Sequence, residues 1–273
     1  MNYTLNCRGR LVNMEKPLVM GIVNATPDSF YADSRQQTEQ AIALRVTQIV
    51  NEGGSIIDVG ACSTRPGSEP VSEEEEIRRL RTALDVVRRE VPEAVVSVDT
   101  FRPTVARMAV EEYGADIIND VGTPPSASSP HPSQMFRTVS RLRVPYIYMS
   151  RAATMKDVLL DCAKAIDALR TMGQKDIIVD PGFGFGKTME QNYQVLSTLE
   201  RLQALEVPIL VGMSRKRMVY ELLGITPDEA LNGTTVLNTM ALMGGASILR
   251  VHDVRAAVEA ITIKLKLCFS TLE

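Results

Sequence analysis

Short apolar runs, each closed by a polar or glycine residue, recur roughly every thirty positions: Leu18–Val23, Ser55–Gly60, Val95–Val98, Ala115–Asn119, Val144–Met149, Asp176–Asp180, Val207–Gly212 and Ala246–Val251. Each has the length and composition of a strand. Between them, apolar residues return every three or four positions over Thr38–Glu52, Ser72–Glu90, Arg102–Tyr113, Met155–Met172 and Met189–Leu205, which predicts helices. Strands without polar alternation imply a parallel sheet covered on both faces, and eight strand–helix units close into a (β/α)8 TIM barrel. An open doubly wound sheet is the alternative.

Local signals sharpen this frame. Ser72 with Glu75 and Thr226 with Glu229 have capping-box spacing, and Pro227 follows Thr226 at the favoured first helical position. Thr4–Cys7 and Leu11–Asn13 flank Arg8-Gly9-Arg10, so residues 1–16 read as a hairpin capping the N-terminal end of the barrel. Thr123–Pro132, with prolines at 124, 125, 130 and 132, reads as a loop. Residues 1–273 read as a single domain.

Composition narrows the partners. With 33 acidic and 30 basic residues the net charge is −3, which argues against nucleic acid or an anionic membrane and for small-molecule ligands. Cys7, Cys62, Cys162 and Cys268 form no Cys-x-x-Cys pair, so a reducing compartment is expected rather than a zinc site. The N-terminus lacks a basic stretch followed by an apolar one, and no apolar run is long enough to span a membrane. A cytoplasmic location follows as the expectation.

The chemistry is predicted at the strand ends. Asn24, Asp58, Asp99, Asn119, Asp180, Ser214 and the pair Arg250/His252 each follow or close an apolar run, and in a barrel these ends converge on the catalytic face. Arg250 and His252 are two apart, so on a strand they share a face. With Ser214-Arg215-Lys216 they fall after strands seven and eight, where barrels commonly bind phosphate. The bland alternative is that these residues are ion-paired supports. Asp180-Pro-Gly-Phe-Gly-Phe-Gly-Lys-Thr188 is not a Walker A loop, because Pro181 stands where the first glycine is required. It reads as a glycine-rich turn that lets backbone approach a ligand. The only histidines, His131 and His252, lack a recognisable nucleophile motif or a histidine metal centre. Any metal is therefore expected to be Mg2+ on a few oxygens, Asn24 among them.

Several of these stretches are long and rare in combination. Met20-Gly-Ile-Val-Asn-Ala-Thr-Pro-Asp-Ser-Phe30, Ile57-Asp-Val-Gly-Ala-Cys-Ser-Thr-Arg-Pro-Gly67, Ser97-Val-Asp-Thr100, Ile117-Ile-Asn-Asp120, Asp180–Lys187, Val211-Gly-Met-Ser-Arg-Lys216, Gly233-Thr234 and Leu249-Arg-Val-His-Asp-Val254 together resemble the dihydropteroate synthases, over nearly the full chain. One stretch departs: the family's Met-His-Met after strand five is replaced by Tyr148-Met-Ser-Arg-Ala-Ala-Thr-Met155, with a shortened fifth helix expected.

The resemblance implies a pterin-binding barrel that condenses a dihydropterin-methyl diphosphate with p-aminobenzoate in folate biosynthesis, the step that sulfonamides target. It places the pterin on Asp99, Asn119, Asp180, Lys216, Phe185 and Met149. Asn24, Arg250 and His252 take the diphosphate, with Mg2+ on Asn24. Thr64, Arg65, Pro66, Phe30 and Ser214 take p-aminobenzoate. Asp99, Lys216, Asp180, Arg250 and His252 are the catalytic set, and the family's habit implies a homodimer. Leaving-group stabilisation, rather than a strong base, is what this chemistry requires. Two rival readings share the scaffold: a methyltetrahydrofolate–corrinoid methyltransferase-like barrel, and a pterin-binding protein without turnover.

Overall fold

The computed structural model describes residues 3–25, 32–62, 71–122 and 134–269, with side chains from 38 in the second stretch and to 267 in the last. Ten strands are described: β1 (Thr4–Cys7), β2 (Arg10–Asn13), β3 (Leu18–Asn24), β4 (Ile56–Gly60), β5 (Val95–Asp99), β6 (Ile117–Asp120), β7 (Tyr146–Met149), β8 (Ile177–Asp180), β9 (Leu210–Val211) and β10 (Ile248–Val251). The helices are α1 (Ala32–Asn51), α2 (Glu73–Glu90), α3 (Pro103–Glu111), α4 (Gln134–Leu142), α5 (Met155–Thr171), α6 (Met189–Leu196), α7 (Arg217–Leu223), α8 (Leu231–Met243) and α9 (Val254–Phe269).

β3 to β10 are parallel in the spatial order β8-β7-β6-β5-β4-β3-β10-β9, and a Val179–Ile209 bridge joins β8 to β9. The apolar runs thus form a barrel rather than an open sheet. β1 and β2 pair antiparallel across Arg8 and Gly9, both at positive φ (55° and 93°), the backbone that a two-residue hairpin turn requires. Among the described residues no helix is long and apolar enough to cross a membrane.

The strand period of two sorts the interior into layers. Met20, Ile56, Val95, Ile117, Ile147, Ile178, Leu210 and Ile248, one from each barrel strand, form a single buried cluster with Leu5, Cys7 and Met14. The hairpin therefore closes the N-terminal end of the barrel, as its sequence predicts. A second, larger cluster lies between the outer face of the sheet and the helices.

Three details differ from the sequence reading. The run 189–205 breaks after α6, because the Ser197 and Thr198 hydroxyls both donate to the Gln194 carbonyl; a 3-10 turn over Leu199–Leu205 follows. Ser72 does accept from the Glu75 amide, but Glu75 turns its carboxylate to Arg78 and Arg79, so the box is half formed. Glu229 accepts from the Thr226 amide at 2.9 Å, yet this closes a turn ahead of α8 rather than the helix start. The full box is at Thr188–Gln191, opening α6. α5 runs 17 residues from a Thr154 cap, ending one residue short of the predicted Met155–Met172.

Candidate active site

Two residues beyond the apolar layer, each strand carries its next inward position: Ile22, Asp58, Ser97, Asn119, Met149, Asp180, Gly212 and Arg250. The same period that packs the bottom of the barrel therefore delivers the polar residues to one level. Asp58 and Asn119 are fully buried. Arg250 Nε donates to Asp58 Oδ2 and its Nη2 to Asp99 Oδ2, both at 2.6 Å, and Asn119 Nδ2 donates to the same Asp58 oxygen at 3.1 Å. Asp58 Oδ1, Asn119 Oδ1 and Ser97 Oγ are buried without a partner. Burial raises the Asp99 carboxyl to about 7, against the pull of Arg250 and with further push from Asp58. Arg250 is desolvated too, but the carboxylates around it hold it charged. Directly after Asp99, Thr100 donates to Glu76 (2.7 Å) and Arg102 pairs with the same buried carboxylate, fixing this strand end to α2.

Asp180 closes β8 and accepts the Gly182 amide at 2.7 Å. Burial raises its pKa, while Lys216 and the Gly182 N–H oppose the rise. The loop that follows turns through Gly182, Gly184 and Gly186 at φ of 71°, 79° and 64°. A Cβ on Gly182 would lie 2.1 Å from the Ser150 carbonyl oxygen, so only glycine fits. Lys216 Nζ donates to the Phe183 carbonyl and lies 4.6 Å from the centroid of the Phe185 ring. Burial lowers Lys216 to about 8, with Asp180 opposing the fall. Met149 is buried on the neighbouring strand.

At the rim, the Ser214 hydroxyl sits 3.0 Å from His252 Nδ1 and accepts the His252 amide at 3.2 Å. Burial, then the nearby Arg250 charge, push the imidazole down to about 4, so it is neutral at physiological pH. In that state it offers a ring N–H beside Arg250 rather than a second positive charge. Ser214, assigned to the arylamine region, is joined to this histidine. Arg215 is a support, forked onto Asp253 at 2.8 and 2.9 Å and capping the Pro227 and Asp228 carbonyls. Arg45 from α1, which no sequence motif singles out, donates to the Ile22 carbonyl (3.1 Å) and the His252 carbonyl (2.5 Å), tying β3 to the end of β10. Asn24 ends β3 with an exposed side chain.

The structure thus brings Asp99, Asn119, Arg250, Asp180, Lys216 and Phe185 to one mouth and joins His252 to Ser214 beside it. Asp58, noted as a strand-end residue but given no role, proves to be the hub between Arg250 and Asn119. Phe30, Thr64, Arg65, Pro66, His131 and the loop 123–132 lie outside the described residues, as does the side chain of Asp33.

Residues 20–252 match the family of pterin binding enzymes. The dihydropteroate synthase of Clostridium beijerinckii is 38% identical over 249 residues, covering 88% of this chain and 90% of that protein. That of Escherichia coli K12 is 35% identical over 268 residues, covering 95% and 94%. Among solved structures, Xanthomonas albilineans dihydropteroate synthase with 4-aminobenzoic acid superposes with a TM-score of 0.84 at 37% identity, over 98% of both chains. The Xanthomonas albilineans enzyme in complex with 7,8-dihydropteroate gives 0.81 at 34% identity, over 97% of this chain and 98% of that one. With that identity spread over nine-tenths of its length and the polar layer in place at the barrel mouth, the chain belongs to the pterin binding enzymes and, within them, to the dihydropteroate synthases, transferases of folate biosynthesis.

Proposed function

We propose that the barrel mouth holds a dihydropterin diphosphate edge-on against Asn119, Asp180, Asp99 and Lys216 and joins its methylene carbon to p-aminobenzoate. The observation that carries the reading is the pair of buried acceptors without partners, Asn119 Oδ1 and Asp58 Oδ1. Buried acceptors are costly when unmet, about 1–3 kcal/mol each, and a pterin's amino and ring N–H groups are donors of the right kind. The Asn119 amide orientation follows from its Nδ2 bond to a carboxylate, which leaves the oxygen free to accept. Phe185, beside Lys216, supplies an aromatic face for the ring, and Met149 an apolar one.

In the reaction the methylene C–O bond breaks, diphosphate leaves with the electron pair, and the arylamine nitrogen attacks the carbon, afterwards losing its proton to solvent. The chain's part is to hold charge. Two of the three guanidinium nitrogens of Arg250 are taken by Asp58 and Asp99; Nη1 remains to reach a departing oxygen. Ser214, accepting the His252 amide, is set to donate its hydroxyl to Nδ1, which places the imidazole proton on Nε2 as a neutral donor. Asp99 and Asp180 offset the positive charge that develops on the pterin. The arylamine is assigned to the outer loops through Phe30, Thr64, Arg65 and Pro66.

Mg2+ fits this site only in one form. Among the described residues no group of three His, Cys, Asp or Glu side chains could form a cage. A single amide oxygen, Asn24 at the exposed end of β3, suits a cation that keeps most of its ligands as water and substrate phosphate. When bound it would supply further neutralisation of the leaving diphosphate.

Two coarser features belong to the same reading. Val236, Met240 and Met243 on α8, with Ile263 and Leu267 on the adjoining α9, expose apolar side chains at helical spacing, which supports a homodimer paired through this face. Free Cys7, Cys62 and Cys162 suit a reducing cytoplasm. The test is steady-state formation of dihydropteroate with and without Mg2+, using wild type, Asp180→Asn and Lys216→Ala. Each variant should lose roughly 10- to 100-fold in kcat/KM, the loss of one hydrogen bond to a charged group. Pterin binding without turnover by the wild type would favour the silent binder, and wild-type kinetics in both variants would remove them from the site. Sedimentation of wild type against Met240→Lys tests the dimer.

A further inference from the structure

The glycine-rich loop after β8 is held from two sides. Because its backbone bends through three left-handed glycines, its carbonyls face away from any regular ladder and must find donors. Lys216 supplies one from the pocket, to Phe183. From behind, Lys187 Nζ donates to the Gly182 carbonyl at 3.0 Å and to the Phe185 carbonyl at 3.4 Å. The Phe185 amide closes on the same Gly182 carbonyl at 3.1 Å, and the Gly184 amide is taken by buried Asn192 at 2.7 Å. One ammonium therefore spans both ends of the turn that presents Phe185, whose ring lies against the Lys216 ammonium.

We propose that Lys187, the last residue of the Asp180–Lys187 stretch and given no role by the sequence reading, is the positioning residue of this loop: by tying the Gly182 and Phe185 carbonyls together it fixes the Phe185 ring and the Lys216 ammonium where the pterin binds. The inference rests on the reading of that mouth as a pterin site. Lys187 touches no substrate in this role. Its ammonium faces Asp180 from β8 and Asp161 and Cys162 from α5, while Lys216 and Arg250 are the other cations around Asp180. Burial pushes Lys187 down to about 8, as expected of a cation enclosed to serve carbonyls rather than left in solvent. Its charge has a second consequence, since it helps Asp180 to stay ionised. Without it, the Asp180 carboxyl should take up a proton at higher pH.

The experiment is calorimetric titration of 6-hydroxymethylpterin into wild type, Lys187→Met and Lys187→Arg from acid to mildly alkaline pH, with melting temperatures measured alongside. Lys187→Met should bind about tenfold more weakly, the scale of one hydrogen bond to a charged group, with its acid limb displaced to higher pH. Lys187→Arg should keep the wild-type limb. If Lys187→Met does not fold, Lys187→Gln, which keeps one donor and no charge, should still show the displaced limb. A lower melting temperature with unchanged affinity and unchanged limb would make Lys187 merely structural and overturn the assignment alone. No binding by wild type would overturn the pterin reading and the assignment with it.

Discussion

Asp58 gathers the site at the scale of single residues. One of its oxygens accepts from both Arg250 and Asn119, so the residue sets the position of a cation and of an amide that lie on different strands. Removing one partner of a buried ion pair leaves an uncompensated charge and costs about 3–5 kcal/mol. Asp58→Ala is therefore expected to lower the denaturant midpoint sharply and to weaken pterin binding, whereas Asp58→Asn keeps the packing and loses chiefly the hold on Arg250. A variant Asp58→Ala with wild-type midpoint and affinity would show that Arg250 is held by Asp99 alone. Sequence reading could see Asp58 as a polar residue in an apolar strand, but not its partner. Arg250 is 192 positions away, and nothing in a period of two says which inward residues meet across a barrel.

His252 carries a prediction in pH. Its folded pKa, about 4, lies below the ordinary histidine value, so between the two the unfolded chain binds more protons than the native one. Stability should be fully present above about 6.5 and lost as pH falls toward 4, by up to roughly 3 kcal/mol. A His252→Asn variant should show a flatter acid limb in the same window, measured by urea unfolding at a series of pH values. Equal slopes would mean that the imidazole titrates freely and is not enclosed as described.

The element that matters most is the glycine-rich turn. Gly182 and Gly173 both have positive φ, 71° and 84°, yet a Cβ on the first would strike the Ser150 carbonyl while the second has nothing within 4 Å. Gly173→Ala should then cost only the conformational penalty, about 1–2 kcal/mol. Gly182→Ala must also displace backbone next to Asp180 and should lose both stability and activity. Similar melting temperatures for the two would refute the close approach. This loop was readable because glycine spacing and a preceding aspartate are local facts. The break after α6 was not, because Ser197 and Thr198 are tolerated in helices until their hydroxyls take a carbonyl. The span of α5 is legible for the same local reason as the loop: its apolar period starts at Met155, and the helix begins afresh at its own Thr154 cap whatever the altered Tyr148–Met155 stretch does to the loop before it.

The whole molecule follows from one offset applied eight times: an apolar residue at the bottom of each strand and, two positions on, the residue at the level of the barrel mouth. What is legible in the sequence is the repeated apolar run and its polar end, which give the barrel and most of the mouth. The meeting of the runs is clear even where β9 shortens to Leu210–Val211 beside Pro208, which has no N–H to give. The offset also makes the bottom layer incomplete without a plug, because eight strand ends leave an apolar surface facing water. The hairpin provides Leu5, Cys7 and Met14, all buried against that layer. Leu5 is fully buried while Leu11 on the same hairpin is 71% exposed, so the pair forms an internal control. Leu5→Ala should cost about 2–5 kcal/mol through lost contacts and a cavity beneath Met20 and its neighbours. Leu11→Ala should stay within roughly 0.5 kcal/mol of wild type. Both should keep kcat/KM in the folded fraction, because residues at the N-terminal face of a barrel serve stability and those at the opposite face serve chemistry. Urea unfolding with activity assays in parallel decides it. Equal midpoints for the two variants would show that the hairpin rests on the barrel without plugging it, and a loss of kcat/KM with an unchanged midpoint would couple the bottom of the barrel to its mouth.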